Sequence, residues 1–492
     1  MKIKSIKYNF LMNVLVTITN LIFPIITYPY VSRILSSEGL GKVSFATSVA
    51  SYFIMFACLG IPTYGIRECA KVRDDRNKLS IVVYELLMIN MLTTIISIVC
   101  FLFLIFNIPA LYAEKELMFL NIIYVFLNTL GINWLYTALE QYTYITIRSI
   151  LIKIVSFILI FLLVKHQSDY IIYGSITIIA TSGSNIFNFI NARKYIKLQK
   201  YSNIEIKRHV KPIIVFFLQS VTLTLSNNID TTLLGLYTTN SQVGYYSTAI
   251  RVKSILLSII NSLSWVLVPR MTYYLKNNMK KEFIDISYKV VIFIFITSLP
   301  LITFFVIYSK ETIFILAGQD FVGSIVPMQI IMFSLLFHGL SNMFGTQVLT
   351  PIGKEKYLVK TLLFGISVDI ICNIALIHNY GAVGASLSNL VSQIVIFLLQ
   401  YRYVKSFIKI KLLRNSIGKI LVSSVLSSFI TYFVSLYIKT NLFVAFIIFG
   451  ITFFVMYILF LILFREKYIC HELLTVYNRY KTGKYKRNIK NG

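Results

Sequence analysis

The sequence predicts an all-α polytopic membrane protein with about 14 transmembrane helices. Three observations predict it. Apolar blocks of about 20 residues, the length that spans a bilayer core, recur with short polar gaps as far as Phe464. Hydrophobic residues make up 57% of the 492 and charged residues 13%, against about 25% charged in soluble domains. The basic residues that give the net charge of +28 gather in alternate gaps between the blocks.

The blocks follow in order. Residues 9–32 hold Pro24 and Pro29, and each proline removes a backbone hydrogen bond, so this helix should bend. Block 42–61 runs into the charged gap 67–78. Blocks 80–106 and 117–137 are separated by a gap whose only cation is Lys115. Blocks 147–165 and 170–191 precede the long basic stretch 193–211. Then come 211–236, with Asp230, and 246–269, with Arg251 and Lys253. Blocks 290–309, 322–348, 358–377 and 381–401 follow, and 416–437 and 441–464 end the series before a basic tail.

Loops rich in Lys and Arg stay on the cytoplasmic side. The gaps on the side of both termini hold 37 of these residues and the opposite gaps hold 6. Both termini are therefore expected in the cytoplasm, with an even number of crossings. Topology and attraction to anionic lipid heads account for the basic excess, so nucleic-acid binding need not be invoked. No small-residue cleavage site follows MKIKSIK, and the first helix is expected to stay. The five cysteines show neither a CxxC pair nor metal-ligand spacing, and no disulfides are expected.

The chain also resembles itself. At an offset of 203, Gly41 matches Gly244, and Ser44, Ala46, Val49 and Ser51 match Ser247, Ala249, Val252 and Ser254. The same offset pairs Arg67 with Arg270, and Tyr173-Gly174 matches Tyr380-Gly381 at 207. Two six-helix lobes in parallel repeat are expected, 1–205 and 206–405. Two extra helices (406–464) and a basic cytoplasmic tail (465–492) follow.

Ionisable side chains inside a membrane are costly and tend to face a cavity. Asp230 and Arg251 each lie about seven residues from the outer end of their blocks, so they should sit at similar depth, with Asn227 and Asn228 nearby. They suit either a structural ion pair or an anion site. Lys253 falls on nearly the opposite helix face, and Arg251 is the better candidate to face inward. Lys153 is placed to meet an anionic headgroup from the cytoplasmic side, or to snorkel. Arg33 closes the first block at the outer mouth. Glu85, His338 and Asp369 are embedded without an evident role. Asp74-Asp75 sits among five cations and reads as a solvated ion-pair cluster, not a metal site.

At these residues the chain resembles a known family. FPIITYPYVSRILSSEGLGKVSFATSVAS resembles the N-terminal signature of the polysaccharide-repeat (O-antigen and capsule) flippases of the multidrug/oligosaccharidyl-lipid/polysaccharide exporter superfamily. IDTTLLGLYTTNSQVGYYSTAIRVKSI, LVPRMTYY, QVLTPIGKEKYLVK and YGAVGASLSNLVSQ continue the match, which covers about 8–405. Ser36-Ser37 stand where the family commonly has Gly-Pro, so a looser turn is expected there. The resemblance implies two lobes around a cationic central cavity, alternating access and no ATP hydrolysis. It implies an undecaprenyl-diphosphate-linked oligosaccharide as cargo, moved to the periplasmic leaflet of the bacterial inner membrane. Arg251, Asp230, Lys153, Arg33, Lys253, Asn227 and Asn228 are the candidate substrate-binding residues. Membrane lipids are further partners, and a glycan polymerase and chain-length regulator are candidates. No catalytic residue, cofactor or metal is expected.

The alternative is a drug or small-molecule antiporter of the same superfamily. Cation-drug exporters should favour acidic cavity residues, whereas cations match or outnumber acids here. A membrane glycan enzyme would need a large outer loop, and no outer gap exceeds about 15 residues. No GxxxxGK[ST] nucleotide cradle is present.

Overall fold

In lipid the backbone has only itself to bond, so each apolar block closes its hydrogen bonds internally as a helix. The computed structural model describes residues 5–197, 201, 204–406, 408, 413–438, 440–466 and 468, the side chains of 6, 7 and 263–266 apart. Cys470, His471 and most of the 465–492 tail lie outside the described residues. Among the described residues every regular element is helical.

In chain order these are α1 (Ile6–Cys58), α2 (Ile61–Lys71), α3 (Arg76–Asn107), α4 (Pro109–Ala113), α5 (Lys115–Leu130), α6 (Asn133–Ala138), α7 (Tyr142–Leu163) and α8 (Tyr170–Ile178). A π-turn (Ile179–Gly183) leads into α9 (Asn185–Ala192), α10 (Lys207–Tyr237), α11 (Asn240–Lys276), α12 (Lys280–Ile307) and α13 (Ser309–Leu316). After a 3-10 segment (Gln319–Ser324) come α14 (Ile325–Asn342), a second π-turn (Met343–Leu349), α15 (Glu355–Val404), α16 (Arg414–Tyr437) and α17 (Leu442–Leu463). Among the described residues ten helices are long and apolar enough to cross a membrane. The number becomes eleven when the pair Asn240–Ser262 and Leu267–Lys276, bent by 43°, counts as one span.

Two of the long helices are interrupted. α1 keeps helical dihedrals through Pro24 and Pro29 and departs from them at Ser36 (φ 61°, ψ 179°). The break therefore lies beyond the prolines that the sequence suggested. The turn is also pinned: the Ser37 amide donates to Asp320 Oδ2 at 2.6 Å. α15 breaks at Gly381 (φ 52°, ψ −128°), a conformation that suits glycine.

The chain forms two compact units. The first comprises Met1–Thr248, Leu316–Ser324 and Ile370–Ala385. Here α1 is central and packs on α3, α5, α7 and α10. Small residues permit the close approaches, as is usual between membrane helices. A methyl group on Gly235 would lie 2.0 Å from the Phe45 ring, and one on Gly65 2.8 Å from Trp134. Buried hydroxyls and amides then lock the contacts. Ser97 Oγ donates to the Phe53 carbonyl at 2.7 Å, Asn90 Nδ2 to that of Ala57 at 2.6 Å, and Thr94 and Thr129 share a 2.6 Å bond.

The second unit comprises Ala249–Ile315, Ile325–Asp369 and Ser386–Gly492. In it α12 packs on α14 and α16, and α16 on α17. The buried face of α16 is a column of Ser423, Ser424, Ser427, Ser428 and Thr431. The last four donate to carbonyls one turn back, which satisfies their hydroxyls in an apolar setting. Phe304, Tyr308, Phe449 and Phe453 form an aromatic cluster, and Tyr457 Oη donates to the Ile296 carbonyl at 2.9 Å.

Candidate functional site

Asp230 lies seven residues before the end of α10 and is 4% exposed. A carboxylate this deep needs donors. Tyr246 Oη on α11 donates to its Oδ2, and Asn373 Nδ2 on α15 donates to its Oδ1 at 2.6 Å. Both partners are buried. Neither was legible in the sequence, because they come from helices 16 and 143 residues away. Nearby, Tyr28 and Thr248 share a 2.6 Å hydrogen bond, and Ser48 bonds Thr232 at 3.0 Å. Asn228 Nδ2 donates to the carbonyl of Thr224 at 3.0 Å, and Asn227 is exposed.

Arg251 is half-buried and belongs to the second unit, whereas Asp230 belongs to the first. Lys253 is buried, and its Nζ donates to Asn389 Oδ1 on α15 at 2.7 Å. Lys153 donates to Asn20 Oδ1 on α1, and exposed Arg33 donates to the Pro29 carbonyl.

A second polar cluster surrounds the break at Ser36. Ser32 Oγ donates to the Leu316 carbonyl at 3.3 Å, and the Ala382 amide donates to Gln242 Oε1 at 2.8 Å. Asn240 Nδ2 donates to Glu114 Oε1 at 3.0 Å, with Lys42 at 3.8 Å. Burial pushes the Glu114 carboxyl above its usual range, against the pull of Lys42 and Asn240. The glycines of the internal repeat meet here. A methyl group on Gly41 would lie 1.7 Å from the Asn240 carbonyl oxygen, and one on Gly244 2.0 Å from that of Ser37. Ser37 and Asn240 are themselves 203 apart, so the two contacts are one contact repeated about a local two-fold axis.

A third cluster joins α3 to the basic stretch. Glu85 accepts from Arg208 Nη2 at 2.5 Å and from the Glu205 amide at 2.7 Å, and lies 2.8 Å from His209 Nε2. His209 Nδ1 meets Tyr64 Oη at 2.7 Å. Asp75 accepts from the amides of Asn77 and Lys78 and caps α3, and the Lys78 amide bond leads in holding its carboxyl below the usual range.

Long apolar helices, two of them interrupted, with buried polar clusters and no strand among the described residues, define a polytopic helical membrane protein. The family described as polysaccharide biosynthesis protein matches residues 6–275, more than half of the sequence, and the chain belongs to that family. It is 21% identical to a protein of Escherichia coli (strain K12) named "Putative O-antigen transporter", over 82% of this chain and 97% of that one. A protein of Shigella dysenteriae with the same name is 24% identical, over 81% of this chain and all of the other. Among solved structures, the fold is similar to the lipid II flippase MurJ in an inward closed conformation. The TM-score is 0.73 at 17% identity, over 92% of this chain and 99% of that one.

Proposed function

We propose that the chain is a flippase for lipid-linked oligosaccharide repeat units, serving the assembly of O-antigen or capsular polysaccharide. The observation that carries this reading is similarity, over 82% and 81% of this chain, to two chains named "Putative O-antigen transporter". The physical need is plain. A sugar headgroup cannot cross hydrocarbon, because its hydroxyls would lose their water partners, and a diphosphate raises the barrier further. The cargo is an undecaprenyl-diphosphate-linked unit taken from the cytoplasmic to the periplasmic leaflet of the inner membrane. Movement is by alternating access through a cationic cavity, with both termini cytoplasmic. In this reading each interrupted helix counts as two crossings and 170–192 as one, which gives fourteen. The repeat then divides the chain into lobes 1–205 and 206–405, followed by two further helices. Arg251 is the cation assigned to the diphosphate, with Asp230, Asn227, Asn228, Lys153, Lys253 and Arg33 lining the route. A glycan polymerase and a chain-length regulator are the expected partners.

Deletion of the gene should remove surface glycan and leave lipid-linked units on the inner leaflet. Complementation with Arg251→Ala should fail, whereas Arg251→Lys should restore part of the glycan, because lysine keeps the charge and loses only the fork. Unchanged surface glycan in the deletion strain refutes the function, and normal glycan with Arg251→Ala refutes the role of that residue.

A further inference from the structure

Arg148 lies six residues after the start of α7. Its Nη2 donates to Asn133 Oδ1 at 3.1 Å, and its guanidinium carbon sits 5.7 Å from the centre of the Tyr144 ring. Nε and Nη1 are shielded and have no hydrogen-bond partner. Two acceptors of the same site are already engaged. Asn133 Oδ1 already accepts from Asn188 Nδ2 at 2.8 Å as well, which uses its two lone pairs. The carboxylate in the same cavity, Glu140, accepts from Arg73 Nη1 at 2.8 Å and, through its other oxygen, from Asn9 Nδ2 at 3.2 Å. A shielded guanidinium with two idle donors is a costly arrangement.

Arg148 lines a cavity of about 600 Å³. Gln141 and Thr143 add polar groups to its lining. Ile147 and Leu151, one turn apart on α7, and Phe187 on α9 form an apolar wall and are 55%, 58% and 53% exposed. A charged end beside an exposed apolar wall is the complement of an amphiphile. We propose that this cavity seats the phosphate of a membrane amphiphile. Its anion takes Nε and Nη1 of Arg148 after a small rotation of the guanidinium, and its chain lies along Ile147, Leu151 and Phe187. Arginine suits this task because its planar fork matches phosphate oxygens in pairs. The two sources of such a group are a polyprenyl diphosphate and an anionic phospholipid.

The test uses the purified full-length chain in detergent, with native mass spectrometry and thermal shift as readouts. The probes are farnesyl diphosphate, phosphatidylglycerol, farnesol and inorganic phosphate. At least one of the two phosphate amphiphiles should bind and raise the unfolding midpoint. Its affinity should fall at least about tenfold in Arg148→Gln, which removes charge-assisted bonds, and only partly in Arg148→Lys. Farnesol should bind weakly and alike to both proteins. Preference for farnesyl diphosphate identifies an isoprenoid carrier as the occupant, and preference for phosphatidylglycerol a bilayer lipid. Leu151→Trp narrows the apolar wall at an exposed position, should weaken the same binding, and decides alone if Arg148→Gln does not fold. Undiminished binding in the folded variants, or inorganic phosphate reproducing the full effect, overturns the proposal. Binding is read without transport, so the failure of the flippase reading would leave this result standing, and the reverse holds as well.

Discussion

Ser36 is a residue held where its side chain is unwelcome. Its φ of 61° with ψ of 179° belongs to a region that glycine alone occupies easily. The surroundings impose it: the next amide is held by Asp320, and Ser37 presses on Gly244. Relief of that strain in Ser36→Gly should stabilise the fold by about 1–2 kcal/mol. A raised midpoint in thermal unfolding of the purified protein checks it, and a lowered one rejects the strain. Glu114 gives a pH prediction. Burial raises its carboxyl in the folded chain above the unfolded value. The folded state therefore holds that proton more tightly, and the contribution is present at low pH and lost as pH rises through the folded value. The wild-type midpoint should fall as pH rises through a window just above the ordinary carboxylate range, and Glu114→Gln should flatten that part of the curve. Identical pH profiles for the two proteins would reject it. Neither the strain at Ser36 nor the burial of Glu114 was legible in the sequence, because both depend on what the fold brings against a residue. The departure from Gly-Pro at 36–37 was visible, but its consequence was read as a looser turn where the structure has a tight one.

At the scale of elements, the contact between the second half of α1 and the start of α11 is the repeat made physical. The sequence aligned Gly41 with Gly244, and the structure sets each against the backbone carbonyl opposite the other's partner. Glycine is needed because the carbonyls belong to turns of main chain that cannot step aside singly. Gly244→Ala should destabilise by about 1–3 kcal/mol or more through overpacking. Gly418 on α16 is the control, since a methyl group there meets nothing within 4 Å. Gly418→Ala should be neutral or stabilising by about 0.5–1 kcal/mol, because it removes backbone freedom from the unfolded chain. Paired thermal unfolding curves decide this, and equal effects of the two substitutions would show that the close approach is not what matters. The repeat was legible because backbone approach restricts the residue type directly. The partners of Asp230 and Lys253 were not, because Tyr246, Asn373 and Asn389 look like ordinary helix residues until α10, α11 and α15 are packed. The apolar block 147–165 leaves Arg148 at its very edge, whereas α7 begins at Tyr142. The five added residues turn a loop cation into one beneath a helix end.

For the whole molecule, hydropathy made the helical membrane fold legible because lipid leaves the backbone no alternative. Length alone loses crossings where a helix breaks at a single residue, as at Ser36 and Gly381, so the number and sidedness of crossings need their own test. The asymmetry of 37 basic residues against 6 predicts the connections around 74 and 277 inside the cell and those around 167 and 319 outside. Asp74, Gln167, Asn277 and Gln319 are all exposed, so a thiol at any of them would be reachable from its own side. In a background with all five cysteines replaced, Gln167→Cys and Gln319→Cys should react with an impermeant maleimide in intact cells whose outer barrier is opened. Asp74→Cys and Asn277→Cys should react only after the inner membrane is broken. The four positions are informative together because all of them follow the break at Ser36 and precede the one at Gly381. Were the break at Ser36 to lie within one crossing rather than between two, with the N-terminus still inside, 74 and 277 would move to the outer side and 167 and 319 to the inner, and all four labels would invert. Positions 167 and 319 labelling from opposite sides would instead locate a miscounted crossing between them, and would remove the parallel relation of the two halves that a repeat with an even number of spans requires.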